Sequence, residues 1–255
     1  MALKIKKILV SQPKPTNDKS PYLELAERNN LKVDFRPFIK VEGIPAKEFR
    51  QERIDMLEHT AVIFTSRTAI DHYFRIAEEL RLTIPDKMKY FCISESVALY
   101  LQKYIVYRKR KIFYGSNVFK ELVEQVIVKH NSEYFLVPLS DIHKPEIPRI
   151  LDKNKIRHTK AILYRTVSSD LSDLSDVNYD VLVFYSPSGI KSLFENFPEF
   201  EQKETKIACF GPHTAKAVKK AGLRLDIEAP SINAPSMTMA LENFIKEYNK
   251  NGVSK

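Results

Sequence analysis

Short apolar strands alternate with amphipathic helical segments along almost the whole sequence. The strand candidates AVIF (61–64) and VLVF (181–184) carry apolar residues at every position. A strand with one solvent-facing side would alternate apolar and polar residues, so these continuous runs predict strands that are covered on both faces. Amphipathic patterns such as AIDHYFRIAEEL (69–80) separate the strands. The sequence therefore predicts an α/β fold of βαβ units, with parallel sheets covered by helices.

Two strand–loop–helix stretches occur twice, in the same order and at nearly the same spacing. AVIFTSRTAIDHYF (61–74) is echoed by VLVFYSPSGIKSLF (181–194), which begins 120 residues later. KYFCISESVALYLQKY (89–104) is echoed by KIACFGPHTAKAVKKA (206–221), which begins 117 residues later. Short βα units also resemble one another by chance, but the shared order and spacing favour two similar α/β halves.

The 255-residue chain is long enough for one large domain or for two smaller ones. Two segments interrupt the regular pattern: the Ser- and Asp-rich stretch 167–178, and the extended stretch 36–45 with its prolines and glycine. If the chain crosses between domains at both, residues 1–37 plus 168–255 form a discontinuous α/β domain that holds both termini. Residues 38–167 then form an inserted α/β domain, and the cleft between the two domains is the expected ligand site.

An excess of basic residues gives the chain a formal charge of +9, from 41 Lys and Arg against 32 Asp and Glu. This charge attracts anions such as nucleic acid, anionic lipid or a small polyanionic substrate, although solubility alone would explain it equally well. No apolar run approaches the roughly 18 residues of a membrane span, and no signal-peptide core is evident. Cys92 and Cys209 lie in apolar runs, as core thiols do in a reducing compartment. We therefore expect a soluble, cytoplasmic protein.

Polar residues follow four of the predicted strands, at the points where helices are expected to begin. The loops are FTSRT (64–68), SES (94–96), YSPSG (185–189) and FGPHT (210–214). A helix start at the carboxyl end of a parallel strand binds anions through free backbone N–H groups and the positive end of the helix dipole. The candidate ligand-binding residues are Thr65, Ser66, Ser94, Ser96, Ser186, Ser188, Gly189, Gly211, His213 and Thr214. Helix capping is the competing explanation, and in YSPSG it accounts for one hydroxyl and the proline.

Other chemistries lack their sequence motifs. The six glycines form neither GxGxxG nor GxxxxGK[ST], so no nucleotide cofactor is predicted. The six histidines form no HxxxH or HExxH, and no CxxC exists, so no metal site is predicted. The absence of GxSxG argues against an acyl-transfer serine.

In this order, the motifs resemble those of the uroporphyrinogen-III synthase family. The matching stretches are VFYSPSGIKSLF (183–194), KIACFGPHTAKAVKKAGL (206–223), FTSRTAI (64–70) and the tyrosine of AILYRTV (161–167). The resemblance implies two flavodoxin-like α/β domains joined by a two-segment extended linker. It also implies a cyclising lyase of tetrapyrrole (haem) biosynthesis. In that reaction, linear hydroxymethylbilane loses water and closes with inversion of its last pyrrole ring, giving uroporphyrinogen III.

The resemblance also implies residue roles and partners. Tyr164 matches the family tyrosine and is the predicted catalytic residue, as a hydrogen-bond donor to the departing hydroxyl; an ordinary strand position is its alternative role. The substrate is a polyanionic linear tetrapyrrole, which suits a basic chain, and no cofactor is required. We expect a monomer that receives this substrate by transient hand-over from the upstream hydroxymethylbilane-forming enzyme and that binds neither nucleic acid nor membrane.

Two other classes of function remain open from the sequence. A two-domain cytoplasmic binding or sensor module for an anionic small molecule would also hold its ligand between α/β halves. A nucleic-acid binder would need Lys and Arg clustered on one helix together with stacking aromatic residues, and the sequence has no such pattern. Turnover of hydroxymethylbilane distinguishes the enzyme from the binding module.

Overall fold

Strands and helices alternate along the chain, as the apolar pattern predicts. The structure, a computed structural model, describes residues 4–17, 19–174 and 178–251. In chain order the strands are β1 (Lys7–Val10), β2 (Lys32–Phe35), β3 (Ile39–Gly43), β4 (Ala61–Phe64), β5 (Lys89–Cys92), β6 (Ile112–Tyr114), β7 (Phe135–Ser140), β8 (His158–Ser168), β9 (Val181–Phe184), β10 (Lys206–Phe210) and β11 (Ile227–Ala229). The helices are α1 (Pro21–Asn29), α2 (Ala46–Phe49), α3 (Arg67–Glu79), α4 (Glu95–Tyr100), α5 (Phe119–Glu121), α6 (Glu146–Lys153), α7 (Pro187–Asn196), α8 (Pro212–Lys220) and α9 (Met237–Asn251).

The chain divides into two units. Unit 1 comprises Met1–Lys40 and Val167–Lys255, and unit 2 comprises Val41–Thr166. The chain passes from one unit to the other within β3 and returns within β8, so both connections are extended backbone. From the sequence, the boundaries are predicted at 37/38 and 167/168.

The unit 1 sheet has the strand order β11-β10-β9-β1-β2. Every neighbouring pair in it is parallel. When the strands of this unit are counted in chain order, the arrangement is 2-1-3-4-5, which is the flavodoxin-like order. Helices α1, α7 and α8 connect successive parallel strands, as a parallel sheet requires.

The unit 2 sheet has the strand order β3-β8-β7-β4-β5-β6. The neighbouring pairs from β8 to β6 are all parallel. If β4, β5 and β6 are matched with β9, β10 and β11, then β7 and β8 take the places of β1 and β2. These five strands therefore lie in the same spatial order in both sheets. The order in which the chain forms them differs, because β1 and β2 precede β9 whereas β7 and β8 follow β6. Both sheets confirm the predicted α/β class.

Both faces of each sheet are covered by buried side chains. Along β4, Ala61 and Ile63 pack into one apolar cluster, while Val62 and Phe64 pack into another on the opposite face. The residues of β9 alternate in the same way between two clusters. Full burial of a large apolar side chain contributes about 1.5–3 kcal/mol relative to exposure. The prediction of two-sided burial from continuous apolar runs is confirmed.

The amphipathic pattern of PAKEFRQERIDMLE (45–58) predicts a continuous helix, which is interrupted in the structure. Helix α2 ends at Phe49, and Arg53 adopts a left-handed conformation with φ of 54°. Asp55 then begins a separate 3-10 turn by accepting a hydrogen bond from the backbone N–H of Leu57 at 2.8 Å. Short polar side chains that bond nearby N–H groups favour caps and turns over continuous helix. Strand β6 has only three residues, too short a run to be predicted.

Candidate active site

Four helices begin directly after the carboxyl ends of parallel strands. Helices α3 and α4 follow β4 and β5 in unit 2, and α7 and α8 follow β9 and β10 in unit 1. Their N-caps are Ser66, Ser94, Ser186 and Gly211, which all lie in the loops that the sequence singles out. Open α/β sheets bind ligands at this edge because the helix N-termini present free N–H groups there.

Ser66 and Ser186 hold matching positions in the two units. Ser66 Oγ accepts a hydrogen bond from Ala69 N at 3.1 Å, and Ser186 Oγ accepts one from Gly189 N at 3.2 Å. The backbone angles φ/ψ are −161°/162° at Ser66 and −152°/153° at Ser186. Each hydroxyl accepts a hydrogen bond from a helix N–H, and its own hydrogen remains available to donate. Capping and anion binding are therefore compatible at both serines.

The other predicted hydroxyls are not used as helix caps. Ser94 makes no capping hydrogen bond, and its Oγ lies 3.1 Å from Ser96 Oγ. Ser188 lies in the first turn of α7, and its side chain has no hydrogen-bond partner among the described residues. Thr214 is buried in the first turn of α8, whereas the neighbouring His213 is exposed. Ser188 is thus the clearest candidate for a hydroxyl that serves a ligand rather than the helix.

Gly189 and Gly211 are glycines for different physical reasons. A Cβ atom on Gly189 would lie 3.2 Å from Cδ1 of Phe184, so packing against that ring favours glycine. Gly211 has φ of 86°, a conformation that suits glycine, and a Cβ atom there would have nothing within 4 Å. The start of α8 therefore leaves its backbone open to a ligand, while the missing Cβ of Gly189 leaves room for the Phe184 ring.

A pocket of about 440 Å³ lies at the carboxyl edge of the unit 2 sheet. It is bordered by the loops after β4 and β5, by the end of β7 and by β8. The strand order reverses between the neighbours β4 and β7, and such a switch point is the usual ligand site of an open α/β sheet. Its polar lining includes Thr65, Ser66, Asn117, Ser140 and Tyr164.

Tyr164 lies on β8 opposite Ser140 of β7, and its side chain reaches this pocket. Its hydroxyl is 3.4 Å from Ser66 Oγ, and its ring stacks on the His72 ring with centroids 5.0 Å apart and planes 17° apart. Burial raises the pKa of Tyr164, and the hydrogen bond with Ser66 only partly offsets this. The phenol is therefore protonated at neutral pH and can donate a hydrogen bond into the pocket.

His72 and Arg75 support the ring of Tyr164 and are not predicted from the sequence. Arg75 Nε donates to His72 Nδ1 at 3.1 Å, so the neutral His72 ring carries its hydrogen on Nε2. Burial and, after it, the charge of Arg75 lower the pKa of His72, which keeps the ring neutral. Arg75 also donates to the backbone carbonyls of Ile44 and Leu163, the second of which precedes Tyr164. The guanidinium therefore connects α3 to the strand that carries the tyrosine.

Gly43 leaves the space that this guanidinium occupies. A Cβ atom at this position would lie 2.6 Å from Cζ of Arg75. The guanidinium is held by His72, by two carbonyls and by an ion pair with Glu79, so it cannot move away without losing these contacts. The glycine of β3 is thus required by close approach.

A sequence signal for this network exists on α3. Thr68, His72, Arg75 and Glu79 follow one another at intervals of three or four residues, so they form a polar stripe along one face of the helix. The opposite side buries Ile70, Tyr73 and Ile76 in the core. Such a stripe indicates polar contacts, but it does not tell which strand they reach.

Unit 1 has comparable features at its own switch point, between β1 and β9. Ser11 Oγ and Ser186 Oγ each lie 3.8 Å from the position of a Cβ atom on Gly189. Nearby in sequence, the hydroxyl of Tyr185 is 2.6 Å from that of Tyr22, and burial raises the pKa of both phenols. The Ser11 hydroxyl is a polar group at this edge that sequence reasoning misses.

Another pocket of unit 1 lies at the other end of the sheet. It measures about 790 Å³ and is bordered by residues that precede β9 and β10, such as Asp180 and Thr205. In a βα unit the helix begins after the carboxyl end of its strand, so the described lining of this pocket lacks the free helix N–H groups of the carboxyl edge. Volume alone therefore does not identify the site.

Two further findings limit the chemistry. Within the described ranges, no group of three His, Cys, Asp or Glu residues is arranged to hold a metal ion, and no helix is both long and apolar enough to cross a membrane. Cys92 and Cys209 are buried free thiols, and burial raises their pKa to about 12 and about 11. These cysteines are protonated core residues.

The fold and these helix starts define a class: two-unit α/β proteins with parallel sheets and polar helix starts at the carboxyl edges of the strands. A family model described as uroporphyrinogen-III synthase HemD matches residues 20–239. The chain belongs to the uroporphyrinogen-III synthase family, and the alternative of a binding or sensor module is not favoured.

The chain is similar to several individual proteins. A uroporphyrinogen-III synthase from Chlorobaculum parvum is 22% identical and covers 95% of this chain and 100% of its own. The crystal structure of uroporphyrinogen-III synthetase from Helicobacter pylori is similar, with a TM-score of 0.59 at 18% identity, over 95% of this chain and 100% of that one. A mutant uroporphyrinogen III synthase from Thermus thermophilus has a TM-score of 0.49 at 15% identity, over 95% and 99% of the two chains. The Helicobacter structure shares the fold.

Proposed function

We propose that the chain is a cyclising lyase that converts hydroxymethylbilane into uroporphyrinogen III. The family match over residues 20–239 supports the reaction, and the position of Tyr164 supports the site. The observation that carries the proposal is a buried, protonated phenol beside Ser66, at the switch point of a parallel sheet.

Tyr164 acts in the first step of the proposed reaction. Its hydroxyl donates a hydrogen bond to the hydroxyl of the substrate's hydroxymethyl group. The carbon–oxygen bond breaks, the departing hydroxide takes up a proton and leaves as water, and an azafulvene cation remains. The last pyrrole ring attacks this cation through its already substituted carbon, and the bond from that carbon to the bridge of the preceding ring then breaks. The free carbon on the other side of the last ring bonds to this bridge and loses one proton, which closes the macrocycle with the last ring inverted. A phenol whose pKa is raised by burial is a poor full acid but a well-placed donor, so positioning contributes more than proton transfer.

Substrate carboxylates are the proposed ligands of the polar helix starts. Ser66 and Ser186 can donate their hydroxyl hydrogens while they cap α3 and α7, and Ser188 has a hydroxyl with no other partner among the described residues. Hydrogen bonds to a charged acceptor are stronger than neutral ones, at about 1.5–3 kcal/mol each. The remaining proposed contacts are Thr65, Ser94, Ser96, Gly189, Gly211, His213 and Thr214.

The cellular setting follows the same proposal. Free buried thiols support a reducing, cytoplasmic location. Action as a monomer and transient hand-over from the upstream enzyme stay predictions. No cofactor enters the proposed reaction.

The test is a coupled assay that supplies freshly made hydroxymethylbilane and separates the product isomers. The expected result is uroporphyrinogen III in excess of isomer I, which forms by direct closure without inversion. The same mixture without the chain provides the background. Isomer I alone, formed at the background rate, would contradict the enzyme and revive the binding module.

A further inference from the structure

A second pocket of unit 2 lies between α6 and β8 and measures about 600 Å³. The residues that line it are His143, Pro145, Pro148, Arg149, Asp152, His158 and Lys160. The residues from 145 to 152 are spaced by three and four, so they share one face of the helical segment, and residues 158 and 160 share one face of the strand. His143 also borders the candidate active site, so the two pockets are neighbours.

The described lining of this pocket carries two cations, Arg149 and Lys160, against one carboxylate, Asp152, and it lies within a basic segment. Residues 143–160 contain six Lys and Arg residues against two acidic ones, an excess of four in a chain whose total charge is +9. Arg149 and Lys160 have neither an ion-pair nor a hydrogen-bond partner among the described residues. Asp152 is the one acidic residue in the described lining, and its side chain is 73% exposed. The two cationic groups that line the pocket are therefore not neutralised by the fold.

His158 adds a buried polar group to the wall. Its side chain is only 10% exposed, and Nδ1 lies 2.9 Å from the carbonyl oxygen of Ile156. A carbonyl can only accept, so Nδ1 carries a hydrogen and the ring orientation is fixed. Nε2 lies 3.9 Å from Asp152 Oδ1, beyond hydrogen-bond distance. His143 is held in the same way, with Nδ1 donating to the carbonyl of Ser140 at 2.9 Å.

We propose that this pocket is a separate binding site for a compact polyanion that carries phosphate or carboxylate groups. Arg149 supplies a planar donor fork and Lys160 a second positive charge, while the fixed ring of His158 forms part of the wall. The volume falls in the range of about 300–1,000 Å³ that small-molecule sites occupy. A metal ion is disfavoured because the described residues contain no group of three suitable ligands.

The experiment follows the histidine side chains by long-range ¹H–¹⁵N NMR on the full chain. Inorganic pyrophosphate and citrate are titrated separately, at constant ionic strength held with sodium chloride. Saturable shifts of the His158 and His143 signals are expected, while those of exposed His213 in unit 1 stay unchanged. Saturation by pyrophosphate alone identifies a phosphate ligand, by citrate alone a polycarboxylate, and by both a site that recognises charge spacing. No turnover is measured, so the outcome is independent of the proposed reaction.

Two double variants that remove the same charge distinguish direct contact with the anion from a general effect of the positive charge. Arg149→Gln with Lys160→Gln should weaken the apparent affinity at least about tenfold, because charge-assisted hydrogen bonds are lost. Lys153→Gln with Lys155→Gln removes the same charge from the neighbouring surface, and a change below about threefold is expected because exposed charges are screened. The proposal is overturned if neither anion produces saturable shifts, if both variants weaken binding equally, or if zinc chloride shifts the histidines and neither anion does.

Discussion

Tyr164→Phe removes one oxygen atom from the unit 2 pocket and leaves the ring stacked on His72. The only described hydrogen bond lost is the one to Ser66 Oγ, which is long at 3.4 Å and joins two neutral hydroxyls. Neutral hydrogen bonds contribute about 0.5–1.5 kcal/mol, so the free energy of unfolding should fall by about 0.5 kcal/mol or less. Turnover should fall by between about tenfold and about 10⁴-fold, where the upper figure is the most that a single general acid typically contributes.

The assay measures turnover of fresh hydroxymethylbilane, the isomer ratio and urea unfolding on the same samples. Product from Tyr164→Phe should remain mainly isomer III, because folding of the substrate does not depend on the phenol. Since burial raises the pKa of Tyr164, ionisation of this group should not reduce wild-type turnover between pH 7 and pH 9.

Tyr134→Phe is the matched control for this experiment. The Tyr134 hydroxyl also contacts a neutral hydroxyl, with 2.7 Å between it and Thr159 Oγ1. Tyr134 directly precedes β7, however, so it lies at the amino end of the unit 2 sheet, away from the candidate site. This variant should lose at least as much stability and keep its turnover. Full activity in Tyr164→Phe, or an equal loss in both variants, would refute the role of the phenol.

Four further outcomes are expected. Gly43→Ala should lower both stability and turnover because the added Cβ displaces the Arg75 guanidinium. In an Arg75→Ala background the same change should have no effect, and additive losses of stability from the two substitutions would contradict this coupling. Ser186→Ala should reduce the free energy of unfolding by about 1 kcal/mol through loss of a cap, whereas Ser188→Ala should raise KM at unchanged stability; the reverse pattern would exchange the two roles. Burial lowers the pKa of His59 in the folded chain, so the unfolded chain takes up this proton at higher pH and the free energy of unfolding should fall as pH drops below about 6.5. If the free energy of unfolding of a His59→Gln variant, measured by urea titration, falls equally steeply with pH, then His59 is not the cause. Finally, KM should rise with ionic strength, since exposed charges are screened within about 8 Å at 0.15 M salt, and a KM constant from low to high salt would argue against electrostatic binding.

Local sequence determined the elements and the positions of the polar helix starts. Continuous apolar runs at 61–64 and 181–184 specify strands buried on both faces, because burial on each side needs an apolar residue at every position. Ser66 and Ser186 cap their helices because a short hydroxyl side chain can reach a backbone N–H three residues ahead. Both effects act over a few residues, so they can be predicted from the sequence alone.

The repeated stretches also predicted more than their own secondary structure. The pairs at 61–104 and 181–221 are neighbouring parallel βα units in their respective sheets, β4–β5 and β9–β10. The strands on the other side of the switch point, β1 and β2, come before this pair in unit 1, whereas their counterparts β7 and β8 come after it in unit 2. No local pattern encodes that difference, because strand order depends on pairing between segments far apart in the chain.

Only the tertiary structure decided which side chains surround Tyr164. Ser66, in the loop after β4, and His72, on the helix that follows, both contact Tyr164. Arg75 donates to the backbone carbonyl of Leu163, the residue before Tyr164, and its guanidinium occupies the space that Gly43 leaves open. These residues are separated by up to about 120 positions, and each alone has an ordinary structural explanation. Parallel pairing places β8 beside β7 and β7 beside β4, which brings the carboxyl ends of distant strands to one edge of the sheet. That non-local pairing brings three side chains into one site: the capping Ser66, the stacked His72 and the buried Tyr164.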